Sequence, residues 1–301
     1  MIVYLRNSEI DREQWDNCIT ASQCHKPYAY SWYLDIMAPA WEALIDDDYD
    51  SVFPIPCFKK YGIRYITTPI FLQQLGAFSP DKPASGVIYE FIDYMPEFYK
   101  FVDLAVGQKV DYPHYRVTER SNYELNLSFS YEKLWSSFTP DCRRVIHIAA
   151  RKKIEMTTQI SPEEIIDLFV SQKGNMLKGI KSRDYQRLNS LMNYCINNKK
   201  GQIIGVRSAK KKLEFGIFLL EIPGSKTILF IANSQESREK RVGYYVINEI
   251  IRNNALTKNI LDFAGSSIPS IAKFIESFGC RKIPYYRIYR NSLPWPIRML
   301  K

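Results

Sequence analysis

Three cations in one short polar stretch are the first residues of this chain that invite a chemical reading. Arg238, Lys240 and Arg241 lie in the run Asn233-Ser234-Gln235-Glu236-Ser237-Arg238-Glu239-Lys240-Arg241-Val242-Gly243, after an apolar strand pattern and before a helix pattern. A loop at such a junction meets the free N–H groups and the positive dipole end of the helix, so anions are favoured there. Gly243 lets a ligand approach the backbone closely. Ile231, Ala232, Asn233, Arg238, Arg241 and Gly243 are therefore candidates for cradling a phosphate-bearing or acyl-carrying ligand. The alternative is a solvated charged loop. Downstream, Asp262 ends the buried run Leu261-Asp262-Phe263 and is followed by Ala264-Gly265-Ser266-Ser267. An acid at the end of a strand, above the crevice of a sheet, occupies a usual ligand position. The same acid can instead brace the Gly265 turn or cap the next helix. Lys273 lies on that helix, where a lysine by default runs along the surface with its head in water. Asp262 and Lys273 are the candidates for proton handling or charge stabilisation.

Earlier in the chain Tyr28, Tyr30, Trp32 and Tyr33, together with Gln73 and Gln74, have the make-up of an aromatic and polar substrate pocket, though such residues also build ordinary cores. Arg143, Arg144, Arg151, Lys152 and Lys153 fall on a helix pattern whose Ile146, Ala149 and Ala150 form an apolar face. That is an amphipathic surface helix or a polyanion contact. His25, His114 and His147 are far apart, and no Ser or Cys stands in a nucleophile-elbow context. No metal-ligand spacing and no glycine-rich nucleotide motif occurs, so no metal is expected. The six cysteines contain no CxxC pair and read as reduced, mostly buried thiols.

These residues need a scaffold to position them, and the pattern around them supplies an uncommon one. Strand-like runs at Gln202–Val206, Leu213–Glu221 and Thr227–Ala232 are followed by the polar stretch, a helix over Val242–Asn253, a strand over Asn259–Phe263 and a helix over Ile268–Phe278. Three consecutive strands before the helix argue against simple strand–helix alternation and for an α+β layout with a mixed sheet. The first half shows a similar plan, with helices near 11–19 and 30–37, strands at Trp41–Ile45, Ser51–Phe58 and Gly62–Thr67, and a helix over Ser85–Met95. Two domains are expected, 1–120 and 121–301, with the junction near 116–127. Charge divides along the same line: residues 1–120 hold 11 Lys and Arg against 17 Asp and Glu, and residues 121–301 hold 30 against 15. A segregated basic half suits a polyanionic ligand, such as a coenzyme pyrophosphate, a nucleotide-linked substrate or RNA. No apolar run reaches 18 residues and the first residues lack signal-peptide order, so a soluble cytoplasmic protein is expected.

Leu261-Asp262-Phe263-Ala264-Gly265 and Phe274-Ile275-Glu276-Ser277-Phe278-Gly279, with the meander before them, resemble the GNAT acyltransferase superfamily. More closely they resemble its tandem-domain branch, the Fem-type aminoacyl transferases and FemAB-like acetyltransferases. Tyr30-Ser31-Trp32-Tyr33-Leu34-Asp35 and Gln73-Gln74-Leu75-Gly76 are also similar to FemAB-like proteins. The resemblance implies two tandem GNAT-like domains, each a mixed, mostly antiparallel sheet flanked by helices. It implies transfer of an acyl or aminoacyl group to an amine, in a small-molecule or cell-wall-precursor acceptor, from acetyl-CoA, another acyl-CoA or aminoacyl-tRNA. The donor would lie along Ile231–Gly243 and the acceptor near Tyr30, Trp32 and Gln73. Ile275 stands where the family's helix carries a lysine, and Arg241 where its acyl-CoA signature carries the first glycine. A chain with those replacements also fits a non-catalytic scaffold that binds a nucleotide, a nucleotide-sugar or RNA.

Overall fold

The computed structural model describes residues 1–152, 154–173, 179–266, 268–295 and 298, so Lys153 and Ser267 of the motifs above lie outside the described residues. In chain order the elements begin with β1 (Ile2–Leu5), α1 (Arg12–Ala21), α2 (Ser31–Met37), β2 (Glu42–Asp46), β3 (Ser51–Ile55), β4 (Cys57–Lys60), β5 (Ile63–Thr67), α3 (Ala84–Asp93) and β6 (Phe101–Val106). They continue with β7 (Arg116–Asn126), α4 (Tyr131–Ser137), α5 (Pro140–Ala150), β8 (Met156–Thr157), α6 (Pro162–Lys173), α7 (Ser182–Asn197), β9 (Gly201–Arg207), β10 (Leu213–Ile222) and β11 (Ser225–Asn233). The last are α8 (Gln235–Glu239), α9 (Val242–Asn253), β12 (Ile260–Asp262), α10 (Pro269–Glu276) and β13 (Arg281–Asn291). Two compact units result, Met1–Arg120 with Pro284–Lys301, and Ser121–Ile283.

In the first unit β1, β2 and β3 form an antiparallel sheet. The strand expected over Ser51–Phe58 breaks at Pro56, whose nitrogen has no proton to give to a ladder. Its first part, β3, lies at the sheet's edge, where Pro54 is tolerated; its second part, β4, turns away to pair with β5. A second, mixed sheet runs β4-β5-β6-β13, with β5 and β6 parallel and the other pairs antiparallel. β13 joins β6 in the register Tyr286↔Val106 to Asn291↔Phe101, and Arg287 locks it with a bidentate ion pair to Asp103, 2.5 and 2.6 Å. Asp11 caps α1 by accepting from the amides of Glu13 and Gln14, and the helix buries Trp15, Cys18 and Ile19. Glu42 is 7% exposed, on a strand buried throughout, and takes hydrogen bonds from Arg64 and from the hydroxyls of Tyr4 and Tyr99. The Arg64 guanidinium lies 4.7 Å from the ring centroid of Phe98 and 5.2 Å from that of Tyr99.

The second unit is built on the strand order β7-β12-β11-β10-β9-β8. Among the described residues β11 and β12 run parallel and the other pairs are antiparallel, so the meander and the strand after α9 form a mixed sheet. One face is covered by α6 and α7. Phe169 of α6 meets Phe230 of β11 at 4.7 Å between ring centroids, and Ile165 fills the space that a side chain at Gly216 would need. On the other face α4, α5, α9 and α10 close over a core that includes Phe215, Leu219, Val246, Ile250 and Phe278. Ser161 and Glu164 cap α6 reciprocally, each side chain bonding the other's amide. Among the described residues, the segment between α5 and α6 contributes only the two-residue β8 to the sheet's edge.

Candidate functional site

The second sheet forks. β11 and β12 share three register pairs, Ser225↔Ile260, Lys226↔Leu261 and Thr227↔Asp262, and then separate. Beyond the last pair β11 keeps only its β10 neighbour, so the edge of Leu229–Asn233 toward β12 carries no ladder among the described residues. A register slip between Phe218 and Leu219 on β10 leaves Leu229 as the extra residue of a bulge beside the fork. The fork holds a cavity of about 200 Å³, walled by β11 from Ile228 to Ile231, by the turn Phe263–Ser266 and by Ile271, Phe274 and Ile275 of α10. None of these wall residues is titratable.

The polar stretch beside the fork is more ordered than a loop. Ser234 caps the five-residue helix α8 by accepting from the Ser237 amide, so the expected loop is a helix followed by a sharp turn. The turn is Arg241, left-handed at φ 61°, and α9 starts from it with no side-chain cap. A glycine holds this conformation without strain, whereas an L side chain raises its energy. Arg241→Gly is therefore expected to raise stability by about 0.5–1 kcal/mol, measured as a shift in urea midpoint. An unchanged or lower midpoint would show that the arginine side chain holds the turn. Gly243 serves packing: a methyl there would lie 3.3 Å from the Phe215 ring and 3.9 Å from that of Phe274.

The remaining sequence candidates fall in several environments. Ile231 lines the cavity, Ala232 is buried in the ladder opposite Gly216, and the Asn233 carbonyl accepts from Arg238 Nη1 at 2.8 Å. Arg238 and Arg241 are exposed. Asp262 is fully buried and accepts from the Ala264 amide at 2.8 Å, bracing a turn in which Ala264 and Gly265 are left-handed at φ 53° and 60°. Its register partner Thr227 has a buried hydroxyl with no hydrogen-bond partner among the described residues. Lys273 is exposed, whereas Ile271, Phe274 and Ile275 define the cavity face of α10, so its side chain leaves from another face. Ile275, at the position of the resemblance's lysine, makes the wall apolar.

In the first unit Tyr30, Tyr33 and Gln74 are buried and Trp32 and Gln73 half-buried. Tyr30 stacks on Trp32 at 5.9 Å, the Tyr30 and Thr20 hydroxyls are 3.1 Å apart, and the Tyr33 hydroxyl donates to the Phe71 carbonyl. Tyr33 thereby ties α2 to the segment that carries Gln73 and Gln74, where Gln74 Nε2 donates to Gln73 Oε1 at 3.3 Å. Burial makes three of the thiols poor nucleophiles, pushing Cys18 and Cys195 up to about 12 and Cys142 to about 11. Sequence reading missed the fork, whose only local sign is the small-residue run after Asp262.

No protein-family model and no curated protein sequence matches this chain. Solved structures do. FemX superposes with a TM-score of 0.66 at 12% identity, covering 97% of this chain and 98% of its own. A conserved protein of unknown function from Bacteroides thetaiotaomicron gives 0.61 at 13% identity, with 96% and 100% covered. Saccharomyces cerevisiae N-myristoyltransferase with bound myristoyl-CoA gives 0.51 at 9% identity, with 96% and 79% covered. At such identities the likeness is one of fold: this chain shares the fold of FemX and, more distantly, that of N-myristoyltransferase.

Proposed function

We propose that this protein transfers an acyl or aminoacyl group to an amine, using the fork of the second unit as the donor site and two GNAT-like domains as its frame. The observation that carries the reading is the separation of β11 from β12 after three pairs, which leaves an unladdered strand edge beside an apolar cavity and an uncapped helix start. Edge N–H and C=O groups suit the amides of an extended donor arm. The first α9 amides, with Arg238 and Arg241 nearby, suit its phosphates, whether of an acyl-CoA or of an aminoacyl-tRNA end. The donor supplies an activated carbonyl, as a thioester or an ester. The chain's residues then hold that carbonyl against the amine, exclude water with Ile231, Phe274 and Ile275, and meet its developing negative charge with backbone N–H groups. Such chemistry needs no triad. Asp262, buried under the turn that walls the cavity, is the positioning residue. Lys273 would touch only a donor part that runs over the outside of α10. Trp32 and Gln73, the half-buried members of their cluster, are proposed for the amine-bearing acceptor, and a cytoplasmic setting fits both donor types. The yeast neighbour's structure has myristoyl-CoA bound, which supports an acyl-CoA as one donor type.

One observation favours a second reading. A cavity wall without a titratable side chain suits a scaffold that holds a nucleotide, nucleotide-sugar or RNA without reacting. Thermal unfolding with acetyl-CoA, coenzyme A, tRNA and UDP-sugars separates the two. A ligand at about 100 times its Kd adds about 2.7 kcal/mol, a rise of a few degrees. Arg238→Ala with Arg241→Ala should remove the shift given by acetyl-CoA or tRNA and leave the unliganded Tm nearly unchanged, since both side chains are exposed. A shift that survives the double replacement refutes the cradle. A shift without transfer to any amine supports the scaffold.

A further inference from the structure

The end of the second unit away from the fork exposes apolar side chains that its own core does not use. Leu256 is 74% exposed, Phe129 40% and Ile260 39%. They sit side by side: the Leu256 amide donates to the Phe129 carbonyl at 3.0 Å, and the amide of Ile260, the first residue of β12, to the Gly224 carbonyl at 2.9 Å. Leu256 is also left-handed, at φ 62°. Glycine or asparagine takes that conformation with little strain and leucine does not. Exposure and backbone strain thus fall together on one turn tip that a polar residue would relieve of both.

Lysines surround the tips. The Lys133 ammonium lies 3.8 Å from the Phe129 ring centroid, Lys258 lies between Leu256 and Ile260 in sequence, and Lys199 stands on the next turn. That turn is held alongside by the Glu221 amide, which donates to the Lys200 carbonyl at 2.7 Å. Lys133, Lys199 and Lys258 are exposed and make no ion pair among the described residues. Of the acids at this end, Glu221 is paired with Lys226, and Glu132 stands exposed beside Lys133. The unit carries 26 Lys and Arg against 15 Asp and Glu over residues 121–283.

The geometry points to an interfacial anchor: this end docks on an anionic lipid bilayer, with Leu256 and Phe129 entering the headgroup boundary and the lysines lying on headgroup phosphates. No helix among the described residues is long and apolar enough to cross a membrane, so the contact is peripheral. RNA would draw the same lysines and could stack a base on Phe129, but it gains nothing from Leu256 and Ile260. The proposal stands apart from acyl transfer, and its test reads partition rather than activity.

The full chain is sedimented with phosphatidylcholine vesicles and with vesicles of phosphatidylcholine and phosphatidylglycerol. Binding is expected only to the anionic vesicles. Leu256→Asn with Phe129→Ser should weaken it about tenfold, and each of Lys199→Glu and Lys258→Glu about fivefold. Asparagine suits the left-handed position, so Leu256→Asn should keep or raise the melting temperature. Three results overturn the anchor: no partition onto anionic vesicles; partition indifferent to Leu256 and Phe129, as for lysine-only contacts that also bind tRNA; or a dimer in solution that Leu256→Asn dissociates in a protein that ignores vesicles.

Discussion

Ile231→Trp is expected to abolish donor binding while the protein stays folded. Ile231 walls the fork cavity from β11, and the cavity measures only about 200 Å³. An indole there occupies the space that an acyl group and the end of its carrier arm need. The strand still pairs with β10, because Ile231 keeps Ile217 as its register partner. The loss should exceed about a hundredfold in Kd, equal to about 2.7 kcal/mol, read as a vanished thermal shift with donor and a transfer rate at background. Ile231→Val is the control. It removes one methylene, costs about 0.5–1.5 kcal/mol of stability, and should leave donor binding intact. Equal binding and transfer by Ile231→Trp and the parent would move the site away from the fork.

Glu42→Ala should cost the first unit about 3 kcal/mol of stability. Three groups lose their acceptor at once: the Arg64 guanidinium and the hydroxyls of Tyr4 and Tyr99. The Arg64 side chain is 33% exposed, so water recovers part of the loss there, while Tyr99 is fully buried. Burial, with the hydrogen bond to Glu42, raises the Tyr99 hydroxyl far above the usual phenol range, so that hydroxyl remains a donor in need of an acceptor. Glu42→Gln keeps the shape and one acceptor and should cost about half as much. A double-mutant cycle with Arg64→Ala, followed by urea unfolding, tests the assignment. Additive effects would mean that the pair does not interact in solution.

The parts of the fold written in local pattern were legible. α9 is found over Val242–Asn253, as expected, because Val246, Ile247, Ile250 and Ile251 repeat at helical spacing. The start of α6 follows from Ser161, Pro162 and Glu164. α8 stayed hidden because its five residues are all polar and bury only Ser237, leaving the Ser234 cap as its single sign. The fork stayed hidden for another reason: Thr227–Ala232 reads as uninterrupted strand, and no local property of a strand states how far its neighbour follows it. The buried Glu42 sits in a run whose every residue is buried, so alternation cannot mark its side chain as internal. Of the site residues, Ile231 and the turn after Asp262 meet at the cavity, whereas Lys273 was placed by sequence on the right helix and by geometry on another face. Arg241 stands out in the sequence as one of three cations before a helix; that it also holds a left-handed turn, φ 61°, is a property that charge does not announce.

The return of β13 to β6 sets a timetable for synthesis. Val106 of β6 finds its partner in Tyr286 and Asp103 its cation in Arg287, each more than 170 positions later in the chain. At about 5–20 residues per second, a nascent first unit waits roughly 10–35 s for the strand that completes its mixed sheet. During that interval one side of β6 is an open edge, a template for wrong partners. A ribosome paused before residue 284 should therefore carry a first unit that binds chaperones and yields readily to protease.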